Sequence, residues 1–443
     1  MIRSLAVLAA IAVTRLAIAL PTSMTLAFTE FDLPNGLHVI VHEDHTAPLV
    51  AVDVRYHVGS KNEQPGKTGF AHLFEHLMFD GSKNVGRLMF DKYLTNVGAE
   101  NNAYTTADET NYHEVVPVNQ LELVLWLESD RMMQFAIKPV SLKTQKEVVK
   151  EEKRQTDDNR PYGSLEEKMH ALAYTAGCYR WPVIGSMEDI DRATMDDVRE
   201  FFETYYVPNN ATLCLVGDIT VDEGRRLAER WFGDIAPGTR PFNRPMLTLS
   251  PQTAAREETL KDDVPTPGSF ATYHTPPEGS PDLYPLELLT SILGSGESSR
   301  LHHRLVYEAE LASEASCYVD PGELASLFYV YAIAAEPGGD IKKLEDEMFA
   351  VVDSIARNGV SERELMKAKN QKEAQLVFGI SGALGRADAL THAHMILGNT
   401  AAINTQITKY EQVTAADIQR VARTYLAPGA RNIVRYIPKE EGK

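Results

Sequence analysis

The densest chemistry in the chain lies in five consecutive residues, His72-Leu73-Phe74-Glu75-His76. On a helix, positions i and i+4 share a face, so both imidazoles can reach one metal ion. Glu75 follows His72 by three residues and precedes His76 by one, so its carboxylate can approach a water at the metal without being a ligand. Zinc suits such a site, with nitrogen and oxygen ligands, tetrahedral geometry and an open fourth position. The ion would lower the pKa of that water, and Glu75 would take its proton as attack begins. The same string on a solvated helix would be inert, so the surrounding elements decide its meaning.

Those elements can be read in outline. The segment Gly69 to Phe79 has no breaker after Gly69 and reads as a helix ending near Gly81. Before it, Leu37–Val41 and Leu49–Val58 read as paired antiparallel strands, and Gly59–Thr68 as a polar Gly/Pro loop. Strands are expected within Asn101–Val116, and helices at Leu121–Arg131 and Ser141–Gln155. The helix Asp196–Tyr206 leads to the strand Ala211–Val216. Pro237, Pro241, Pro245 and Pro251 then punctuate a linker.

Beyond it the order recurs: strands at Ser269–His274 and Leu327–Ala335, and helices at Pro285–Leu293, Ile341–Arg357 and Ser361–Val377. A final helix, Ala415–Tyr425, leads to the strand Asn432–Tyr436, repeating the ending of the first half. The expected architecture is α+β, with two similar halves from a duplication: 28–240 carrying the metal motif, a linker at 241–255, and a metal-free half at 256–443.

Bulk properties narrow the field. A length of 443 residues suits two domains, and 44% apolar residues are ordinary for a globular chain. A formal charge of -18 argues against nucleic-acid binding. Cys178, Cys214 and Cys317 lack any Cys-x-x-Cys spacing, which argues against a thiolate metal site and favours buried small side chains. Met1–Leu20 combines Arg3, the apolar run Leu5–Val13 and small residues near Ala19 or Ala27, and reads as a secretory signal peptide covering 1–27. Export to a periplasm or beyond follows from that reading, with no membrane span in the mature chain. His302-His303 and His392-Ala393-His394 lack carboxylates at ligand spacing and read as solvated surface histidines.

The chain resembles the pitrilysin/insulysin superfamily of inverzincin zinc metallopeptidases, in the branch with mitochondrial processing peptidase and related bacterial peptidases. Gly36-Leu37-His38-Val39, Gly69–Gly81, Asn102-Ala103-Tyr104-Thr105 and Arg160-Pro161-Tyr162-Gly163 carry the resemblance across nearly all of the mature chain. It implies a clam-shell of two α/β-roll-like halves, with antiparallel-rich sheets flanked by helices around a chamber that favours unstructured peptides. It also implies a third zinc ligand from a glutamate some 75 residues after the motif. Glu147, Glu151 and Glu152 compete for that role; the local string favours Glu152, with Glu151 next. A second glutamate common in relatives is Gln145 here.

Asn102, Ala103 and Tyr104 match the strand whose edge pairs with substrate. In the second half, Leu286–Thr290 stands in place of the metal motif without ligands, and Gly294–Leu301 resembles a glycine-rich stretch of the family. Relatives carry an arginine and a tyrosine seven residues apart after that stretch. Val306 and Ser313 stand there instead, with Arg304 and Tyr307 out of register. The resemblance therefore implies a zinc endopeptidase working as the metal-bearing subunit of a dimer. The partner is either a second subunit that supplies the pair or an identical copy. The alternatives are a non-catalytic scaffold subunit of the same superfamily and a zinc hydrolase of non-peptide bonds.

Overall fold

A computed structural model describes residues 25–249 and 252–439; the signal-peptide reading of Met1–Leu20 lies outside them. Among the described residues, eleven strands form two mixed sheets. The first contains β1 (Thr29–Asp32), β2 (His38–Glu43), β3 (Leu49–Tyr56), β4 (Glu100–Thr105), β5 (Thr110–Pro117) and β6 (Ala211–Gly217), in the order β1-β2-β6-β3-β5-β4. The second contains β7 (Arg256–Asp262), β8 (Gly268–Thr275), β9 (Ala312–Asp320), β10 (Ser326–Ala334) and β11 (Asn432–Pro438), in the order β7-β11-β8-β10-β9. Leaving out β1, the two orders coincide, including a single parallel pair, β2–β6 in one and β7–β11 in the other.

The repeat extends to capping. The helices Met195–Tyr205 and Ala415–Tyr425 each begin with a Thr-x-x-Asp capping box, Thr194/Asp197 and Thr414/Asp417, and each leads to an interior strand of its sheet.

The strands β2 and β3 are not the hairpin that their adjacency suggests. β6 lies between them, parallel to β2 and antiparallel to β3. Every residue of β6 is buried, as a central strand requires, and a partner arriving so late in the chain leaves no local signal.

Period-two alternation gives each sheet two apolar faces. On the first sheet, Val39, Val41, Val50, Val52 and Val54 face helices of their own half, including Phe70–Leu77 and Leu121–Met133. The alternate residues Ile40, Ala51, Cys214 and Val216 meet Ala387 and Leu390, from the helix Ala383–Met395 of the second half. The second sheet is covered reciprocally: Phe270, Leu327, Tyr329, Val434 and Tyr436 pack with Met169 and Ala173 of the helix Leu165–Ala173. Each half thus lends a helix to the other's sheet.

The exchange is also polar: Arg55, buried on the back of β3, binds Glu109 at 2.8 Å and Asp388 at 2.5 Å, and the Tyr104 hydroxyl donates to Asp388 at 2.7 Å. All three cysteines are buried and unpaired. Among the described residues, no helix is long and apolar enough to cross a membrane.

Candidate active site

The motif helix spans Phe70–Leu77 and buries Leu73, Phe74 and Leu77 in the front core. Phe74 sits 4.7 Å from the Tyr206 ring and 5.2 Å from that of Phe201, which fixes the helix against Met195–Tyr205. Its start is set by Gly69 at φ +82°, where a Cβ would lie 2.5 Å from the Ile184 carbonyl oxygen. The first turn is capped from a distance. The buried Glu63 carboxylate accepts from the amides of Gly69 at 2.9 Å and Ala71 at 2.8 Å. The polar-loop reading of 59–68 gave no sign of this, because a buried capping glutamate looks like any loop glutamate in sequence.

With the apolar side of the helix committed, His72, Glu75 and His76 lie on its partly exposed side. The helix Pro139–Lys153 lies alongside, and Val149 on its inner face joins the same core. Glu152 comes off its last turn toward the histidines. Its Oε2 lies 3.2 Å from His76 Nε2 and 3.7 Å from His72 Nε2, and the two Nε2 atoms are 3.3 Å apart. The two competing glutamates point elsewhere: Glu151 pairs with Arg154 at 3.1 Å, and Glu147 with Lys150 at 2.9 Å. Adjacent helical positions diverge by about 100°, so Glu151 and Glu152 cannot share one target.

These spacings fit a zinc ion. Tetrahedral ligands at about 2.0–2.1 Å from a metal are about 3.3–3.4 Å from each other, close to the three distances found. The charge state fits as well. Burial and the neighbouring His76 push His72 down to about 4, which keeps its ring neutral and able to donate a lone pair. The hydrogen bond from His76 holds the Glu152 carboxyl below its usual range.

Glu75 takes no part in this triangle. Its Oε2 accepts a 2.6 Å hydrogen bond from the Thr105 hydroxyl at the end of β4, and burial raises its pKa, the direction a general base needs. Thr105 ends the segment Asn102–Thr105 that carries the family resemblance, but its residue type alone assigns it no role beside Glu75.

β4 is the free edge of its sheet, paired only with β5. Asn102 is exposed, and its side chain accepts from the Ala103 amide at 2.9 Å, so that amide lies outside the β5 ladder. Tyr104 differs: its hydroxyl is committed to Asp388 and Arg55 on the back of the sheet.

In the second half, Leu286, Leu288 and Leu289 are buried in a helix that offers no ligand pair. Arg300 is tied to Glu364 at 2.7 Å. Val306 packs against the second core, and the Ser313 hydroxyl reaches only backbone oxygens of Ile333 and Ala334 at 3.4 Å. Arg304 pairs with Glu347 at 2.9 Å, and Tyr307 is 75% exposed. Among the described residues, no arginine is hydrogen-bonded to His72, Glu75, His76 or Glu152.

The solvated reading of His392 and His394 is corrected. His392 Nε2 lies 2.7 Å from Glu278, and its Nδ1 is 3.4 Å from Glu109. His394 stacks on His38, with centroids 3.6 Å apart. Both partners come from far along the chain, so local spacing could not reveal them. His303 remains exposed near Glu308, whereas Nδ1 of His302 is buried.

The chain is similar to known proteins over most of its length. Residues 38–185 match the model of insulinase (peptidase family M16), and residues 192–372 match that of the peptidase M16 inactive domain. A zinc protease of Helicobacter pylori named PqqE is 29% identical over 89% of both chains. A probable mitochondrial-processing peptidase subunit beta of Schizosaccharomyces pombe is 24% identical over 88% of this chain and 87% of that one. Among solved structures, a Helicobacter pylori protease superposes with TM-score 0.88 and 28% identity, covering 93% of this chain and all (100%) of that one. The periplasmic protease PqqL of Escherichia coli shares the fold at TM-score 0.75 and 18% identity; 93% of this chain covers only 47% of that longer one. The chain belongs to the M16 peptidase family of the pitrilysin/insulysin superfamily.

Proposed function

We propose that this protein is a zinc-dependent endopeptidase of unstructured peptides, with His72, His76 and Glu152 holding the metal and Glu75 as catalytic base. The observation that carries the reading is the triangle of donor atoms 3.2–3.7 Å apart beside a carboxylate that is not part of it. The chemistry a bound zinc ion supplies is Lewis acidity toward a water and a peptide carbonyl.

The protein's own groups do the rest. Thr105 holds Oε2 of Glu75, leaving Oε1 free to take a proton from the attacking water and pass it to the departing amine. The outer edge of β4 at Asn102 and Ala103 binds an extended peptide by backbone hydrogen bonds, which reads little side-chain sequence and requires an unfolded substrate. Tyr104 supports that edge from behind.

The units are 28–240 and 256–443, joined by 241–255, and the first holds His72, His76 and Glu152. Val306 and Ser313 supply no arginine–tyrosine pair, which supports a working dimer, formed with a second subunit or an identical copy. Export to the periplasm rests on the reading of 1–27 and is consistent with the periplasmic description of that protease.

The rival is a scaffold subunit without activity. The inactive-domain match favours it only for the second half, whereas the first half retains every donor that the chemistry requires. Quenched peptide and the same sequence held in a folded domain, each incubated with the purified chain, test the proposal. Cleavage of the free peptide alone, lost on chelation and restored by zinc, is expected. Cleavage that survives chelation contradicts it.

A further inference from the structure

The turn at 321–325, between β9 and β10, carries a carboxylate of the second half into the first. Glu323 Oε2 lies 2.7 Å from His57 Nε2 and forms an ion pair with Lys61, which is buried. Lys61 Nζ also donates to Asp108 at 2.9 Å. Asp108 accepts twice more, from the Glu323 amide at 3.0 Å and the Tyr179 hydroxyl at 2.6 Å. The Leu324 amide in turn donates to that hydroxyl at 3.1 Å. Burial opposes the charge on Glu323, but His57 and Lys61 hold its carboxyl down to about 2, so it is ionised at neutral pH.

Both elements that receive this turn lead straight into the active site. Lys61 belongs to the short helix Ser60–Asn62, and the residue after that helix is Glu63, which caps the motif helix at Gly69 and Ala71. Asp108 lies in the turn between β4 and β5, just beyond the Thr105 that holds Glu75. The two segments are laced together: the amides of Ser60 and Lys61 donate to the carbonyls of Thr106 and Ala107 at 3.2 and 2.9 Å. Gly59 permits the approach, since a Cβ there would lie 2.4 Å from the Thr106 carbonyl oxygen. A buried ammonium that loses one of its carboxylates is left undercompensated, and the backbone around it must shift to regain charge or water. Such a shift reaches Glu63 on one side and Thr105 on the other.

We propose that Glu323 is a positioning residue for the active site: from the second half, through Lys61 and Asp108, it holds the two segments that set the motif helix and Glu75. The second half then takes part in hydrolysis without a metal ligand of its own. The proposal rests on the reading of Glu75 as base.

Kinetics on a quenched unstructured peptide, run below the melting transition with zinc content measured beside each rate, test this in Glu323→Gln, Lys61→Met and the double variant. Glu323→Gln keeps its backbone bond to Asp108 and should bind zinc as the wild type does. Its kcat should fall about 10- to 100-fold, as for a reacting group displaced by up to about 1 Å, with KM changed by less than about twofold. The double variant should lose no more than the worse single one, because one path is broken twice. Hydrogen exchange in Glu323→Ala needs no turnover, and it should speed up at 59–63, at 105–109 and in the motif helix. A lowered melting temperature with unchanged kcat marks a merely structural contact and overturns the proposal. Additive losses in the double variant, or unchanged exchange in those segments, overturn it as well. A wild type that cleaves nothing contradicts the peptidase reading instead, and exchange then decides the role of Glu323 by itself.

Discussion

Glu63 touches neither metal donors nor substrate, yet the site depends on it. Its carboxylate satisfies the amides of Gly69 and Ala71 at the buried start of the motif helix. In Glu63→Ala both amides lose their acceptor in a place that water does not reach. Each unsatisfied buried donor costs about 1–3 kcal/mol, so the first turn should lose about 2–6 kcal/mol. Local opening then becomes easier by a factor of about 30 or more, at about 1.36 kcal/mol per tenfold. Hydrogen exchange over residues 68–79 reads this directly, because it reports opening of that segment rather than of the whole chain. Glu63→Gln keeps one carbonyl acceptor and should lose less protection than alanine. If Glu63→Ala leaves exchange in 68–79 unchanged, the capping argument is refuted, however the activity responds.

Other consequences follow from the same geometry. Glu152→Gln should reduce zinc content to that of a His76→Ala protein, while Glu151→Gln and Glu147→Gln should leave it at the wild-type level, as counted by elemental analysis after dialysis. Ala103→Pro removes an edge amide outside the β5 ladder, and kcat/KM for an extended peptide should fall about two- to tenfold at an unchanged melting temperature, the equivalent of one net hydrogen bond. Burial opposes the His392 charge, but Glu109 and Glu278 outweigh it and raise the group from 6.5 to about 10. The folded state therefore binds the proton more tightly, so this contribution is complete below pH 6.5 and is lost as pH rises through about 10. The melting-temperature gap between wild type and His392→Gln should close over that window; a gap that widens with pH would contradict the ion-pair assignment.

What could be read from sequence was what is local. The motif helix announces itself through an unbroken apolar run behind Gly69, and the repeated helix-to-strand endings mark two halves of similar topology. Choosing Glu152 over Glu151 needed the family resemblance, since helical phase separates the two glutamates but does not say which faces the histidines. The misread hairpin, the exchanged helices and the partners of His392 and His394 share one cause. Each depends on a contact across much of the chain, which residue periodicity cannot encode. Glu63, and the role of Thr105, escape the sequence for a related reason: their residue types are ordinary, and only burial and direction make them part of the site.

The central claim is that Glu75 acts as base beside a zinc ion held by His72, His76 and Glu152. Zinc content and cleavage of a quenched unstructured peptide, measured together on wild type and Glu75→Gln, test it most directly. The expected result is equal zinc in both proteins, with cleavage in the wild type and almost none in the variant. Equal cleavage by both proteins, or a wild type that takes up no zinc at His72, His76 and Glu152 after metal supplementation, would contradict it.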